Sequence, residues 1–504
     1  MVRCIPDKNS LPHALYRAVQ VRELDRITIE EFGIPGRTLM ERAGAAAFAL
    51  LRERWPDARE ITLLSGTGNN GGDAYVVARL ALEQGYSVRL LQLGDPGRLK
   101  GDALESAMAY RTAGGEVLPF NDGLPVRTHL IVDGVFGTGL EREVSGLWRD
   151  ALEAVNRHPA PVLALDIPSG LHADSGEVLG VAIAADTTIS FIGLKQGMFT
   201  GCGPDYCGEI RFSALEVPAA IYARQILSAR RLDWAQQVSL LAPRRRTAHK
   251  GDFGHLLVIG GSPGYSGAVR LAAEAGARCG AGLVSVATHP DHAAVLNLTR
   301  PELMCHQVSG GTDLTPLIDK ASVIAVGPGL GQSSWSRELL GAALNADVPL
   351  VVDADALNLL SGERMKRDAW ILTPHPGEAA RLLGKSSHRV QTDRFAAAAE
   401  LQERYGGVVV LKGAGTLIQD ARQPAPGICS GGNPGMASGG MGDVLTGVIG
   451  GLLAQGFSLV DAATIGTCLH AAAADRVALT GERGMLAADL LPEIRHLLNG
   501  IGDA

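Results

Sequence analysis

Short apolar runs alternate with alanine-rich amphipathic segments along most of the chain. In the first half, buried strands are predicted at five such runs, residues 60–64, 88–93, 130–132, 162–165 and 187–192. Apolar side chains recur at helical spacing in residues 37–54 and 74–84, so both segments are predicted to be helices. Strands that alternate with helices form a parallel sheet with helices on both faces. An α/β domain is therefore expected in this half.

A second series of apolar runs follows later in the chain. Strands are predicted at residues 255–259, 283–287, 323–326, 350–352, 370–372 and 408–411. The intervening segment 218–246 contains no glycine and is expected to be a helical connector. The pattern therefore predicts two domains, which comprise residues 1–225 and residues 226–504.

Length and composition agree with two α/β domains. The 504 residues exceed the ~100–200 residues of a single domain. The 64 glycines follow no collagen-like period, so they are expected in many tight turns between strands and helices. The formal net charge of −7 argues against general nucleic-acid binding, because that function normally needs a basic face.

The composition also favours a cytoplasmic protein without a membrane partner. The longest uncharged apolar stretch, residues 444–460, contains several glycines and is shorter than the ~18 residues of a membrane span. The first ten residues, MVRCIPDKNS, carry charges and a proline where a signal peptide needs an apolar core. The seven cysteines form no CxxC pair, so free thiols in a reducing compartment are expected.

A glycine-rich segment follows the first predicted strand. Ligands of open parallel sheets bind beyond the carboxyl ends of the strands. Here that end leads into SGTGNNGGDAY (65–75), whose glycines permit close backbone approach. The next helix is expected to start around Asp73, and its free N–H groups can hold a phosphate. The alternative is a turn that is merely tight.

Aspartates end two further strands of the same domain, at Asp133 and Asp166. Two facing carboxylates repel each other unless a hard cation with oxygen ligands lies between them, or unless one acid has an active, hydrogen-bonded role. Each aspartate could instead cap the turn that follows it. Two such residues beside the glycine-rich turn favour a functional site.

Four motifs in this region resemble the NAD(P)HX epimerase domain, in the order GRTLMERAG (36–44), GNNGGDAYVVAR (68–79), VDGVFGTGL (132–140) and LDIPSGLHADSG (165–176). That family interconverts the R and S forms of nicotinamide dinucleotides that carry a hydroxyl at C6 of the hydrated ring. The resemblance covers most of residues 15–215 and implies a Rossmann-like three-layer αβα sandwich. It implies that Asp166 is the acid/base, and that Asn70, Asp133 and Ser169 ligate potassium. The substrate-binding residues that it implies are Asn69, Asn70, Gly71, Gly72, Asp73, Gly137, Thr138, Gly139, Leu140, Glu141, Arg142, Glu143 and Asp166.

The second domain contains a longer glycine-rich loop, GNPGMASGGMGDVLTG (432–447). Successive N–H groups of such a loop form an anion hole at a helix N-terminus, and the helix is expected from Asp443 onward. A carboxylate beside bound phosphates is unfavourable unless it has a task, such as accepting a proton from a substrate hydroxyl. The alternative is that Asp443 only caps the helix.

This loop resembles the anion hole and catalytic aspartate of ribokinase-like kinases. Further motifs narrow the resemblance to ADP-dependent NAD(P)HX dehydratase over residues 230–500, namely HKGDFGHLLVIGGSPGYSGA (249–268), VGPGLG (326–331), VVDADALNLL (351–360), TPHPGEAARLL (373–383) and VLKGAGTLI (410–418). A ribokinase-like α/β fold is implied. The implied substrate contacts are Ala268, Gly329, His375 and the catalytic Asp443. The implied adenine-nucleotide contacts are Lys412, Gly413, Ala414, Gly415, Thr416 and Gly442.

The resemblance implies that Asp443 activates the C6 hydroxyl, that ADP donates its β-phosphoryl group, and that magnesium bridges the nucleotide phosphates. Phosphate then leaves, and NADH or NADPH and AMP result. The chain is thus interpreted as a bifunctional repair enzyme with NADHX, NADPHX and ADP as substrates, and a homo-oligomer is expected. Two alternatives stay open: a ribokinase-type small-molecule kinase with an accessory nucleotide-binding domain, and a nucleotide sensor without turnover.

Overall fold

The computed structural model describes residues 11–121, 123–363 and 365–500. The N-terminal segment considered above for a signal peptide, residues 1–10 with Cys4, lies outside these ranges. The chain divides into two compact units, an N-terminal unit that ends at Arg230 and a C-terminal unit that begins at Arg231. The sequence placed the boundary between the domains near residue 225.

The N-terminal unit is built on a parallel sheet. The strands of the whole unit are β1 (Ala14–Tyr16), β2 (Glu60–Ser65), β3 (Ser87–Gln92), β4 (Val117–Pro119), β5 (Leu130–Gly134), β6 (Val162–Leu165), β7 (Thr187–Phe191), β8 (Leu194–Lys195), β9 (Glu209–Ser213) and β10 (Ala229–Leu232), the last of which crosses the boundary. Its helices are α1 (Ala18–Glu30), α2 (Gly36–Arg54), α3 (Asn69–Glu83), α4 (Gly101–Thr112), α5 (Gly146–Arg157) and α6 (Gly203–Tyr206). Seven strands pair in the order β4-β3-β2-β5-β6-β7-β9, and every pairing is parallel.

The central strands β5 and β6 are buried at every residue, which explains their continuous apolar sequences. Helix α3 begins at Asn69, four residues before the predicted start at Asp73. Glycine and asparagine are poor helix formers, so the sequence pattern hides this first turn. Glycine is nevertheless required there, because a Cβ at Gly71 would lie 2.2 Å from the carbonyl oxygen of Gly66.

The C-terminal unit is built on a second, mostly parallel sheet. Its strands are β11 (His255–Ile259), β12 (Leu283–Thr288), β13 (Met304–Gln307), β14 (Val323–Val326), β15 (Leu350–Val352), β16 (Trp370–Leu372), β17 (Val408–Leu411), β18 (Thr416–Asp420) and β19 (Gly427–Cys429). The order is β13-β12-β11-β14-β15-β16-β17-β18-β19, with only the β17–β18 and β18–β19 pairings antiparallel. Its helices are α7 (Trp234–Gln237), α8 (Ser266–Cys279), α9 (Pro290–Ala293), α10 (Thr315–Ile318), α11 (Ser334–Leu344), α12 (Ala354–Leu360), α13 (Pro376–Leu383), α14 (Ser387–Thr392), α15 (Arg394–Tyr405), α16 (Met441–Ala454), α17 (Leu459–Val477) and α18 (Leu490–Leu498).

Helix α16 is the central helix of this unit and packs against α8. Its residues from Val444 to Ala454 are all buried, so this part of the apolar stretch 444–460 belongs to the core, whereas residues 455–460 are partly or fully exposed. A Cβ at Gly447 would lie 1.9 Å from the carbonyl oxygen of Ala272 on α8, so only glycine permits this contact. Among the described residues, no helix combines the length and the hydropathy that crossing a membrane requires.

The segment 218–246 is not the helical connector that its lack of glycine indicated. It contains a 3₁₀ turn at Ala219–Arg224, strand β10 and the four-residue helix α7. Strand β10 pairs with β1, with Ala14 opposite Arg230 and Leu15 opposite Ala229. Because that partner lies more than two hundred residues away in the sequence, local periodicity cannot reveal the strand.

Candidate active sites

The first candidate site lies at the carboxyl ends of β2, β5 and β6, which are neighbours in the sheet. A cavity of about 700 Å³ opens there. The sequence-predicted residues that line it are Asn69, Asn70, Asp73, Gly137, Thr138, Gly139, Leu140, Glu141, Arg142 and Asp166. Gly71 and Gly72 are buried in the first turn of α3, and Glu143 does not line the cavity. The structure thus brings together residues from three separate loops.

Asp166 follows β6 in an unusual backbone conformation, with φ at +65° although it is not glycine. Its Oδ1 accepts hydrogen bonds from Nζ of Lys195 and, at 3.3 Å, from the backbone N–H of Phe191. Its Oδ2 lies 3.7 Å from the position that a Cβ would take at Gly137 in the cavity wall. The two hydrogen bonds come from β7 and β8, so Asp166 is not merely a cap of its own turn.

Asp133 is fully buried and does form the local turn contact, because its Oδ1 accepts from the N–H of Val135 at 3.2 Å. It also accepts from Ser169, at 2.6 Å from Oγ and at 2.8 Å from the backbone N–H. Burial raises the pKa of Asp133 to about 6, against the opposing effect of these hydrogen bonds. The capping interpretation is therefore partly right for Asp133.

Asn70 lies beside this pair at the start of α3. Its Nδ2 donates to the carbonyl oxygen of Phe136 at 2.8 Å, and the N–H of Phe136 donates to Oγ of Ser169 at 2.8 Å. The Oδ1 of Asn70 is buried and has no hydrogen-bond partner within the described part of the chain. A buried oxygen without a donor, beside a carboxylate and a hydroxyl, is a donor set that suits a hard cation.

Sequence reasoning missed several charged residues of this site, of which Asp25 and Lys195 act on Asp166. Asp25 on α1 lines the cavity, and burial and the negative charge of Asp166 raise its pKa to about 7. Burial, together with Asp166 and Asp25, raises the pKa of Asp73 well above its usual range. Lys195 is the second of these two, and it could have been noticed as a single lysine within the apolar run of residues 187–199.

The second candidate site lies at the carboxyl ends of β15, β16 and β17. Lys412, after β17, donates from Nζ to Oδ1 of Asp353 at 2.6 Å and lies 3.8 Å from Oε2 of Glu378. The Oγ1 of Thr446 on α16 donates to the other oxygen of Asp353 at 2.7 Å. Burial alone lowers the pKa of Lys412, but the charges of Asp353 and Glu378 outweigh it and raise the pKa.

Asp443 lies in the first turn of α16, which begins at Met441, two residues earlier than predicted. Burial is the main cause that raises the pKa of Asp443 to about 7; the charge of Asp353 adds to it and Lys412 opposes it. A Cβ at Gly442 would lie 3.3 Å from Nζ of Lys412 and 3.6 Å from Oδ2 of Asp353. The structure thus places the glycine-rich loop next to Lys412.

Hydrogen bonds from Arg394, a residue that the sequence did not single out, hold the backbone around Lys412 in place. Arg394 is 1% exposed, and its Nη2 donates to the carbonyl oxygens of Leu411, Lys412 and Gly415 at 3.1, 3.2 and 3.4 Å. A Cβ at Gly413 would lie 2.9 Å from Nη1 of the same guanidinium. One buried side chain therefore sets the path of the loop 412–416.

The remaining predicted substrate contacts lie at three places in the same unit, on α8, in the loop after β14 and at the start of α13. A Cβ at Gly329 would lie 3.1 Å from Cβ of Ala268, so these two residues are neighbours. His375 is the N-cap of α13, and its Nδ1 accepts from the N–H groups of Gly377 and Glu378 at 2.9 and 3.3 Å. Burial, and then the charge of Lys412, lower the pKa of His375. This neutral, half-exposed ring is thus fixed by a helix end.

Comparisons with known proteins match both parts of the chain. A family profile described as YjeF-related protein N-terminus matches residues 36–197, and one described as NAD(P)H-hydrate dehydratase matches residues 256–496. The bifunctional NAD(P)H-hydrate repair enzyme Nnr of Coxiella burnetii is 51% identical over 486 residues, which cover 96% of this chain and 99% of that protein. The chain belongs to the family of bifunctional NAD(P)H-hydrate repair enzymes.

Another member of the family and one solved structure extend this finding. The repair enzyme Nnr of Escherichia coli K12 is 45% identical over 491 residues, which cover 97% of this chain and 95% of that protein. A ribokinase-like superfamily protein from Enterococcus faecalis V583 matches 55% of this chain and 97% of its own, with 29% identity and a TM-score of 0.51. The family resemblance and the ribokinase-like fold predicted from the sequence are thereby confirmed.

Proposed function

We propose that this repair enzyme divides two reactions between its two units. The N-terminal unit epimerises R- and S-NAD(P)HX, and the C-terminal unit dehydrates S-NAD(P)HX with ADP and releases NAD(P)H, AMP and phosphate. The observation that carries the proposal is that each sheet presents its own carboxylate, Asp166 or Asp443, at the carboxyl ends of its strands. The names of the curated relatives support the same pair of activities.

In the N-terminal unit, Asp166 exchanges a proton with the hydrated ring. One oxygen of Asp166 is held by Lys195 and Phe191, so the other is free to reach the substrate. The first turn of α3, residues 69–73, and the loop 137–143 hold the dinucleotide, and the free N–H groups of α3 bind its phosphates. The substrate is thereby oriented so that its C6 faces Asp166.

The oxygen set of Asn70, Asp133 and Ser169 fits a potassium ion. The buried Oδ1 of Asn70 offers an unused lone pair, and a cation beside Asp133 would favour the charged form of that buried carboxyl. The ion supplies positive charge to the loops that enclose the substrate. Ser169 and Phe136 keep those loops together by their own hydrogen bonds.

In the C-terminal unit, Asp443 takes the proton of the C6 hydroxyl, whose oxygen then attacks the β-phosphorus of ADP, and AMP leaves. The C6–O bond of the phosphate ester breaks, a ring proton is lost, and the ring double bond forms again. Residues 412–416 and Gly442 hold ADP, and Ala268, Gly329 and His375 contact the hydrated ring. Magnesium would supply charge neutralisation to the nucleotide phosphates there.

The proposal is tested by incubating the purified full-length protein with mixed R- and S-NADHX and either ADP or ATP. We expect the absorbance of NADH to recover completely with ADP, with AMP and free phosphate in equal amounts, and much more slowly with ATP. A stable phosphorylated product with ATP would instead support a small-molecule kinase. Binding of ADP without recovery of NADH would support a nucleotide sensor.

A further inference from the structure

Lys195 is a fully buried charged group of the epimerase site. Its side chain is 0% exposed, and Nζ donates to Oδ1 of Asp166, to Oγ of Ser190 at 3.0 Å and to the carbonyl oxygen of Phe191 at 3.3 Å. The side chain of Asp166 is 17% exposed. The carboxylate therefore separates the ammonium group from the cavity, and Lys195 acts on the substrate only through Asp166.

Carboxylates crowd the same cavity. Asp25 on α1 and Asp73 on α3 both line it together with Asp166. Each negative charge makes ionisation of the others less favourable, whereas a nearby ammonium makes it more favourable. The further charged groups that line the cavity are Asp102, Glu141, Arg22, Arg98 and Arg142. Lys195 is the cation that bonds Asp166 directly within the described structure.

The contacts also decide which oxygen of Asp166 is available. Lys195 and the N–H of Phe191 both occupy Oδ1, while Oδ2 lies beside Gly137 in the cavity wall. The positive φ of Asp166 brings the side chain to this position at the end of β6. An acid/base group needs one free, correctly placed oxygen, and this arrangement supplies it.

We propose that Lys195 is a positioning residue for epimerisation, which holds Oδ1 of Asp166 and thereby turns its Oδ2 towards the substrate. This inference rests on the proposed acid/base role of Asp166. Lys195 then contributes to the rate of proton transfer and not to binding of the dinucleotide. Without it, the carboxylate of Asp166 loses the ammonium donor to Oδ1, and Oδ2 is no longer held in place.

The test compares four variants of the full-length protein, Lys195→Met, Asp166→Asn, the double variant and Ser190→Ala. The reaction followed is conversion of R-NADHX to S-NADHX by chromatography without ADP, from which the spontaneous rate is subtracted. Ser190→Ala is the matched control, because it removes another contact of the same ammonium and leaves the bond to Asp166. Dehydration of pure S-NADHX with ADP reports whether each variant retains its C-terminal unit.

We expect Lys195→Met to lower kcat by about 10²-fold, with KM for R-NADHX changed less than about 3-fold. Ser190→Ala should stay within about 3-fold of the unchanged protein. In the Asp166→Asn background, loss of Lys195 should cause no further decrease.

Two results would overturn the inference. The first is a Lys195→Met variant whose kcat matches that of the unchanged protein. The second is a folded double variant that is more than about 3-fold slower than Asp166→Asn alone, because Lys195 would then act independently of Asp166. This comparison stays decisive if Lys195→Met alone does not fold, since the double variant buries no unpaired charge. Full epimerisation by Asp166→Asn would instead remove the proposed role of Asp166 itself.

Discussion

Each unit of the molecule pairs one lysine with one aspartate at the carboxyl end of its sheet. The aspartate is the more exposed partner in the first pair, and the lysine is the more exposed partner in the second. In the N-terminal unit Lys195 is fully buried and Asp166 faces the cavity. In the C-terminal unit the aspartate, Asp353, is 1% exposed, whereas the side chain of Lys412 is 17% exposed. The same ion pair thus presents an anion in one site and a cation in the other.

The difference follows from the charge that each site has to meet. A hydrated ring that must exchange a proton needs a carboxylate, and the buried lysine holds that carboxylate in place. A nucleotide phosphate needs a cation, and the buried Asp353, held by Thr446, keeps the lysine charged and in place. The residue proposed above as the proton acceptor of the second site is accordingly a separate one, Asp443.

The largest effect is expected from Asp443→Asn. The amide keeps the size of the side chain but cannot take the hydroxyl proton, so dehydration of S-NADHX should fall by about 10²–10⁴-fold. Epimerisation should continue at its normal rate, because it uses the other carboxylate. The measurement is recovery of NADH absorbance with ADP, together with chromatography of the two hydrates.

The pH profile sharpens the same prediction. Burial raises the pKa of Asp443 to about 7, and the carboxylate is the active form of a base. Dehydration by the unchanged protein should therefore increase as pH rises through about 7 and then level off. Near-normal turnover by Asp443→Asn would show that the aspartate is only a helix cap.

Lys412, the less buried of the two lysines, should affect KM, whereas the fully buried Lys195 is expected to affect kcat. A charged hydrogen bond to phosphate contributes about 1.5–3 kcal/mol, so Lys412→Met should raise KM for ADP by about 10–100-fold. KM for S-NADHX should change much less. Lys385→Met is the control, since Lys385 is a partly exposed lysine of the same unit that pairs with Glu400.

A fall in kcat at unchanged KM for ADP would contradict this prediction. Lys412 would then act on the reacting groups, as proposed for Lys195, and the contrast between the two pairs would be lost. Equal behaviour of Lys385→Met and Lys412→Met would also contradict it, because the effect would then be one of general surface charge.

Several elements were predictable because their sequences are apolar throughout. The runs at Val162–Leu165 and Trp370–Leu372 were placed correctly to the residue, since strands buried on both faces need no periodic pattern. Strand β13 (Met304–Gln307) was missed because its residues are partly exposed and polar. The loops around Asp133, Asp166 and Asp443 were recognisable because each has an aspartate close to one or more glycines.

The supporting charges could not be predicted in the same way. Asp25 reaches the cavity only because α1 packs beside it, and nothing in the local sequence marks that contact. Arg394 bonds to backbone carbonyl oxygens, which every residue possesses, so its partners leave no pattern in the sequence. Residues proposed to touch the substrate were therefore easier to identify than those that hold them in place.

The smallest expected effect concerns stability, again at Asp443. Its pKa is about 7 in the folded chain, whereas an unfolded aspartate has a pKa of about 3.9. The folded state thus retains a proton that the unfolded state loses, so the stabilising contribution is complete below about pH 4 and disappears as pH rises through about 7. Above that pH the native state carries a poorly solvated charge, which Asp443→Asn removes.

Thermal unfolding without nucleotide should show this directly. Asp443→Asn should unfold at the same temperature as the unchanged protein near pH 4.5 and at a higher temperature at pH 8. The gain at pH 8 should be about 2–4 °C for each kcal/mol relieved. Asp353→Asn is the contrasting variant, because its carboxylate is paired with Lys412 and bonded to Thr446, so its removal should lower the unfolding temperature at pH 8. If both variants shift in the same direction, the charge of Asp443 is as well compensated as that of Asp353, and the two carboxylates do not differ as proposed.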